Sequence, residues 1–194
     1  MVKEDVAEVL RRRFFTTESI KDKDSFRPHV AAALKGIADI DDQTKKQGAK
    51  AEERFLKSFP FHPDLTEVLY SKWTSLDRFQ RTRGVLRTFA LALRDAEKWD
   101  QNPLVDPAVF LRESEQNDLS DALRELVSVA GTEEWEGKKQ AWTGILLGEL
   151  MQAKQIQTDS GGLKFREVEQ AVITTFLHSQ PLGQSAKSRD LIII

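Results

Sequence analysis

Pro60 and Pro63 bracket Phe61 and His62 in the phrase FPFHP, and this pair decides where the chain can be helical. Proline fixes its own φ and steers the preceding residue out of the helical region. A helix over roughly Ala51 to Phe59 must therefore stop here, and a short one begins again at Pro63. After it, TSLDRF supplies turn and cap chemistry. Val85, Leu86, Phe89, Ala90 and Leu93 then recur at the three-to-four spacing of an amphipathic helix. Arg81, Arg83 and Arg87 lead into that pattern, so an apolar helix opens on a cationic turn suited to meeting a phosphate.

The rest of the chain reads in the same period. Val2, Val6, Val9, Leu10 and Phe14 form a stripe, with Arg11, Arg12 and Arg13 near its end, where cations suit the helix dipole. Ser25 and Pro28 read as cap and first turn of a second helix through Ile40, which the charged run DDQTKKQGAK interrupts. Asp118 or Ser120 caps a helix carrying Leu119, Leu123, Leu126 and Val127, and Gly131 ends it. A longer one, from about Glu134 to Ile156, holds Trp135, Trp142, Ile145, Leu146, Leu150 and Ile156, the largest apolar surface in the chain. Ser160 to Gly162 stop it. Phe165, Val168, Val172, Ile173, Phe176 and Leu177 resume at helical spacing, although ITTFL is β-branched enough to read either way. LIII, Leu191 to Ile194, is the one clear strand candidate. The four tryptophans fall mostly on apolar stripes and read as core or interface anchors.

The expected fold is thus all-α (mainly α), a multi-helix bundle with at most a short strand near the C-terminus. With 194 residues there is ample chain for one core, and one is the default. If there are two helical regions, 1–100 and 101–194, they meet at DQNPLVDPAV, where prolines and polar residues separate two periodic stretches. A hydrophobic content of 40% with 31% charged residues describes a globular chain. The net charge of -2 gives no electrostatic support for nucleic acid or an anionic membrane. No cysteine is present, which excludes disulfides and thiolate metal sites and is compatible with a reducing cytoplasm. No segment reaches the roughly 20 apolar residues of a membrane span, so the expected location is cytoplasmic.

Phe59, Pro60, Phe61, His62, Pro63 and Leu65, followed by QRTRGVLR from Gln80 to Arg87, resemble the region after the nucleotide-binding core in a family of large bacterial AAA-type ATPases of unknown function, met in phage-defence and DNA-modification gene clusters. That family carries a YPFHP-L phrase followed by Q-TRGVLR. The resemblance extends more weakly to VAEVLRRRFF and to ITTFLHSQPLGQSAKSRDL. It implies an AAA-lid-like bundle within a larger polypeptide, partnered by an upstream ATPase core, in a parent that is homo-oligomeric as such ring-forming engines usually are. ATP and magnesium are implied for that parent, and no cofactor for this segment alone. The sequence agrees with such a division: the nearest approach to a phosphate loop, GTEEWEGKK, has five residues between its glycines and lysine in place of the metal-binding Ser or Thr. No apolar strand ends in the acidic pair that would hold magnesium. The chain stops inside LIII, an apolar run expected to continue.

In AAA-type lids a Gly-x-x-Arg phrase at a helix start supplies an arginine to the γ-phosphate. The resemblance therefore assigns nucleotide contact to Arg87 of Gly84-Val85-Leu86-Arg87, with Arg83 next. The plain alternative pairs these arginines with Asp77, Glu67 or Asp95 on a solvated face, and it is preferred for Arg81. His62, with Asp64 nearby, reads as a cap or packing residue, because scattered histidines lack ligand spacing. His178, Ser179 and Asp190 have the residue types of a hydrolase triad without a nucleophile elbow. Gly183 to Asp190 reads as a turn into the LIII strand. Two functions remain: a lid segment of an ATP-hydrolysing machine, itself without catalysis, or a stand-alone helical module whose arginines meet a protein or nucleic acid.

Overall fold

The computed structural model describes residues 4–102, 104–161 and 163–192, and among them ten α-helices carry the fold. The mainly helical expectation holds. Helix α1 (Glu4–Phe14) buries Val6, Ala7 and Leu10, while Val2 lies outside the described residues. Helix α2 (Arg27–Ile40) has Phe26 at its N-cap with no side-chain hydrogen bond. Ser25, expected there, ends a 3-10 turn instead, and its hydroxyl donates to the Asp22 carbonyl at 2.8 Å.

The charged run after Ile40 is a helix in its own right. Asp41 accepts the Thr44 N–H at 2.9 Å and starts α3 (Asp42–Gln47), and Gly48 at φ 47° separates it from α4 (Ala49–Ser58). One capped carboxylate is enough to nucleate that short turn. Arg11 ties α1 to the end of α4 by donating to the carbonyls of Lys57 and Phe59 at 2.6 and 3.3 Å. Arg12 pairs with Glu8 at 2.8 Å.

Pro63 opens α5 (Pro63–Ser71) as its spacing requires. Before it, Phe61 stays extended and bridges Val105: His62 N–H donates to the Val105 carbonyl at 2.9 Å, and Val105 N–H to the Pro60 carbonyl at 2.8 Å. The proline phrase is therefore the clamp that holds Val105 against the first helices. Two 3-10 turns, Trp73–Ser75 and Asp77–Phe79, lead into α6 (Thr82–Ala96). Beyond it a 3-10 turn Pro107–Phe110 is capped by Asp106, which accepts from Ala108 N–H at 2.8 Å. Ser120 caps α7 (Asp121–Ala130) through the Leu123 N–H at 3.1 Å, and Gly131 ends it.

Glu134 does not start a helix. Residues Glu134–Trp135 and Lys138–Lys139 form strands β1 and β2 of an antiparallel hairpin, turning through Glu136 and Gly137 at φ 51° and 74°. Positive φ at both central positions is the two-residue hairpin geometry whose twist matches the strands. Helix α8 (Trp142–Ser160) begins only after it and is ended by Gly161 in the left-handed region. It buries Leu146, Leu150 and Ala153 but leaves Ile145, Met151 and Ile156 exposed, so its apolar surface is only partly core. The ITTFL ambiguity resolves as α9 (Glu167–His178). The LIII strand is corrected: Leu191 and Ile192 end α10 (Ser188–Ile192), while Ile193 and Ile194 lie outside the described residues.

One buried cluster runs from Leu10, Phe61 and Trp73 through Phe89 and Phe110 to Leu126 and Ile173, so residues on both sides of the 100–106 connection share a core. Each such side chain contributes ~1.5–3 kcal/mol on burial. Lys72 and Trp73 close the far side, donating to the last carbonyls of α9, His178 at 2.6 Å and Leu177 at 3.0 Å. These are the carbonyls a helix end leaves without intrahelical partners.

Candidate functional site at the start of α6

Two consecutive residues other than glycine occupy positive φ just before α6: Gln80 at 58° and Arg81 at 53°. Such conformations cost of order 1–3 kcal/mol each and persist only where the surroundings enforce them. Gly84 supplies the enforcement. A Cβ at that position would stand 1.7 Å from the Phe79 carbonyl oxygen, so the Asp77–Phe79 turn lies directly on the first turn of α6. Phe79 is driven into the core beside Trp73, at 5.6 Å between ring centroids, while its neighbours Asp77, Arg78, Gln80 and Arg81 are exposed.

Arg78, Arg81 and Arg83 are all exposed, and among the described residues none forms an ion pair or side-chain hydrogen bond. Several other arginines are committed: Arg54 to Asp64 and Glu67, Arg94 to Asp121, Arg112 and Arg124 to Asp118, Arg189 to Asp41. The first turn of α6 has neither a side-chain cap nor an acidic residue. Its free N–H groups and the positive end of the helix dipole therefore add to three uncompensated guanidiniums. Arg78 is hidden in the sequence because it sits in the turn phrase; its position five residues before Arg83 is the available signal.

Arg87 lies one turn further along α6 and reaches Glu125 of α7 at 3.1 Å, with its side chain 64% exposed. An exposed pair of this kind is worth about 0–1 kcal/mol and is readily exchanged. The pairings expected from sequence are taken by others: Glu67 by Arg54 at 3.1 Å and Asp95 by Arg94 at 3.6 Å.

His62 is a cap. Its Nδ1 accepts the Asp64 N–H at 3.3 Å, and its ring meets Phe55 edge-on at 4.9 Å, in a buried position. His178 and Asp190 do meet, with Nδ1 and Oδ2 at 3.4 Å, but Ser179 donates its hydroxyl to the Phe176 carbonyl at 2.8 Å. Asp190 also accepts the Lys187 N–H at 2.7 Å as the start of α10. Burial lowers His178 below the usual histidine value while Asp190 opposes it. The three form a helix-end junction, not a nucleophile relay. Residues 183–187 lead into that helix, which takes in Ser188 to Asp190, with Arg189 held by Asp41 at 3.2 Å.

Two larger grooves lie elsewhere, and neither Arg83 nor Arg87 lines them. One, of about 500 Å³, runs between α1, α4 and α5 over Val6, Ala7, Pro63 and Tyr70, with charges of both signs on its rim. The other, of about 480 Å³, lies where α1 and α6 end beside the 100–109 connection. Behind it burial pushes the Asp106 carboxyl up from 3.8 to about 7, with the Ala108 hydrogen bond opposing and the charge of Asp100 adding. The folded chain then keeps a proton that the unfolded chain releases in this range. Stability from this group is complete below pH 3.8 and is lost as pH rises through about 7. Urea denaturation should show Asp106→Asn, which keeps an oxygen for Ala108, gaining on wild type across that window by up to about 1.4 kcal/mol per pH unit. A flat difference between the two proteins would refute the buried proton.

Architecture and site together define a mainly helical bundle that presents a cationic helix start. The chain belongs to the family described as the DUF499 second domain, which it matches over residues 2–139, leaving α8, α9 and α10 outside the matched region. No curated protein and no solved structure matches it. Among the described residues no helix is long and apolar enough to cross a membrane.

Proposed function

We propose that this chain is the helical lid-side region of a larger AAA-type ATPase, in which the start of α6 turns toward the phosphates of a nucleotide held by the preceding core of the same polypeptide. The observation that carries the reading is the unpartnered guanidinium group of Arg78, Arg81 and Arg83 around an uncapped helix start. Fixed positive charge there would stabilise charge developing on the transferred phosphoryl group and convert its loss into lid movement. Arg83 is free for that role, and Arg87 becomes free on giving up its exposed pair with Glu125. Membership of a family described as a second domain agrees with a place beside another domain. ATP and magnesium belong to the parent, and this segment supplies no phosphate loop and no catalysis of its own. Work in bacterial defence or DNA metabolism, a cytoplasmic setting and a homo-oligomeric parent rest on resemblance to the AAA-type family.

The test is ATP turnover by the full-length parent. Arg83→Ala and Arg87→Ala are each expected to lower kcat at least about tenfold, a loss of ~1.4 kcal/mol in transition-state stabilisation, with thermal melting unchanged. Arg13→Ala, at an exposed arginine of α1, should leave turnover intact. Unchanged turnover in both α6 variants would remove the assignment. The second reading, a stand-alone module holding a phosphate backbone, draws on the same arginines but is opposed by the net charge of -2. Salt-dependent DNA binding by this chain alone would favour it.

A further inference from the structure

The groove at the ends of α1 and α6 has a composition that the α6 arginine site does not share. Phe14, Phe15, Leu93, Leu104, Val105 and Val109 give it an apolar floor, and its lip carries Glu97, Asp100 and Asn102. A volume of about 480 Å³ lies within the range of small-molecule sites, which are apolar with a few placed polar groups.

The charges on and behind this groove do not cancel. Glu97 is exposed and, among the described residues, has no ion pair. Asp100 is half-buried, and its carboxylate accepts the Asn102 N–H at 3.0 Å. Burial raises its carboxyl, and the charge of Arg166 offsets this only in part. Arg166 is itself committed to Glu169 at 2.7 Å and to the Arg112 carbonyl at 2.5 Å, with its guanidinium 5.4 Å over the Trp99 ring. Arg94, on the groove wall, is held by Asp121 at 2.7 Å and Asp95 at 3.6 Å. The negative end of the α6 dipole terminates here as well, since α6 closes at Ala96. A cation at the lip would therefore meet two carboxylates and a helix C-terminus, with no free cation among the described residues of the wall to compete.

We propose that this groove binds an organic cation with an apolar body, its ammonium at Glu97 and Asp100 and its hydrocarbon against Phe14, Phe15 and Leu93. The site is independent of the nucleotide reading and survives its failure.

The experiment titrates 4-phenylbutylammonium, 4-phenylbutanol and 4-phenylbutyrate onto the chain at fixed pH and follows backbone amide shifts by NMR. The ammonium is expected to move amides of residues 93–102 and 104–105, the alcohol to bind weakly and the carboxylate not at all. Asp100→Asn should weaken ammonium binding about tenfold, equivalent to the loss of one favourable charge contact of ~1.4 kcal/mol. Glu97→Gln, a change at an exposed residue, should lower affinity without altering the fold, so the proposal stays testable if Asp100→Asn unfolds. Equal binding of ammonium and alcohol, shifts confined to another surface, or Glu97→Gln binding as tightly as wild type would overturn it.

Discussion

Gly84→Ala should cost roughly 3 kcal/mol or more of stability, at the upper end of what an overpacked methyl group costs in a closed site. The added carbon would sit 1.7 Å from the Phe79 carbonyl oxygen and 2.8 Å from its carbonyl carbon, and both are backbone atoms that no rotamer change can move aside. The Asp77–Phe79 turn would have to lift off α6, withdrawing Phe79 from the core and relaxing Gln80 and Arg81. Gly148 provides the contrast. It lies in the interior of α8, where an added methyl would find nothing within 4 Å, so Gly148→Ala should gain about 0.5–1 kcal/mol from helix propensity. Urea denaturation of the two variants checks both signs. A Gly84→Ala protein as stable as wild type would mean that the turn does not rest on α6.

The second large effect is at Trp73, which is fully buried and joins parts of the chain far apart in sequence. Its Nε1–H donates to the Leu177 carbonyl at 3.0 Å, and its ring packs edge-on against Phe176 with centroids 5.5 Å apart. Trp73→Ala should cost about 4 kcal/mol, from lost transfer energy plus the cavity left behind. Trp73→Phe should cost about 1–3 kcal/mol, since the ring remains while a buried carbonyl loses its donor. Against a total of about 5–15 kcal/mol for an ordinary domain, the alanine variant is near the limit of folding. Amide exchange at the end of α9 should accelerate in step with the loss. If α9 kept its protection in Trp73→Ala, the indole would not be what anchors it.

Elements marked by proline, a capping side chain or a terminal glycine were legible. Pro63, Ser120, Gly131 and Gly161 all stand where their backbone chemistry places helix ends, and His62 proved to be the cap its neighbours suggested. The hairpin at Glu134–Lys139 was not legible, because Trp135 extended an apparent helical stripe while the real signal was one Glu-Gly pair able to turn. Helix α3 was hidden inside a run that composition alone reads as solvated loop, although Asp41 was a competent cap. At the site, the sequence located Arg81, Arg83 and Arg87 but neither Arg78 nor the environment they share. Gly84 looked like one element of a Gly-x-x-Arg phrase, whereas its physical role is to admit the Phe79 backbone. That contact, with the positive φ of Gln80 and Arg81, turns Arg78, Arg81 and Arg83 outward, and it depends on packing between segments that no local pattern encodes. The groove with Asp100 was invisible for the same reason, since its walls come from α1, α6 and the 100–109 connection.

The most direct measurement on the α6 site is hydrogen exchange of residues 78–87 in the full-length parent, with and without magnesium ATP. Nucleotide facing this helix start should slow exchange across the first turn of α6 and leave α8 unaffected. Exchange at 78–87 that is identical in both states, while the nucleotide-binding core becomes protected, would contradict the placement of these arginines at the phosphates and leave a helical module whose cationic face serves another partner.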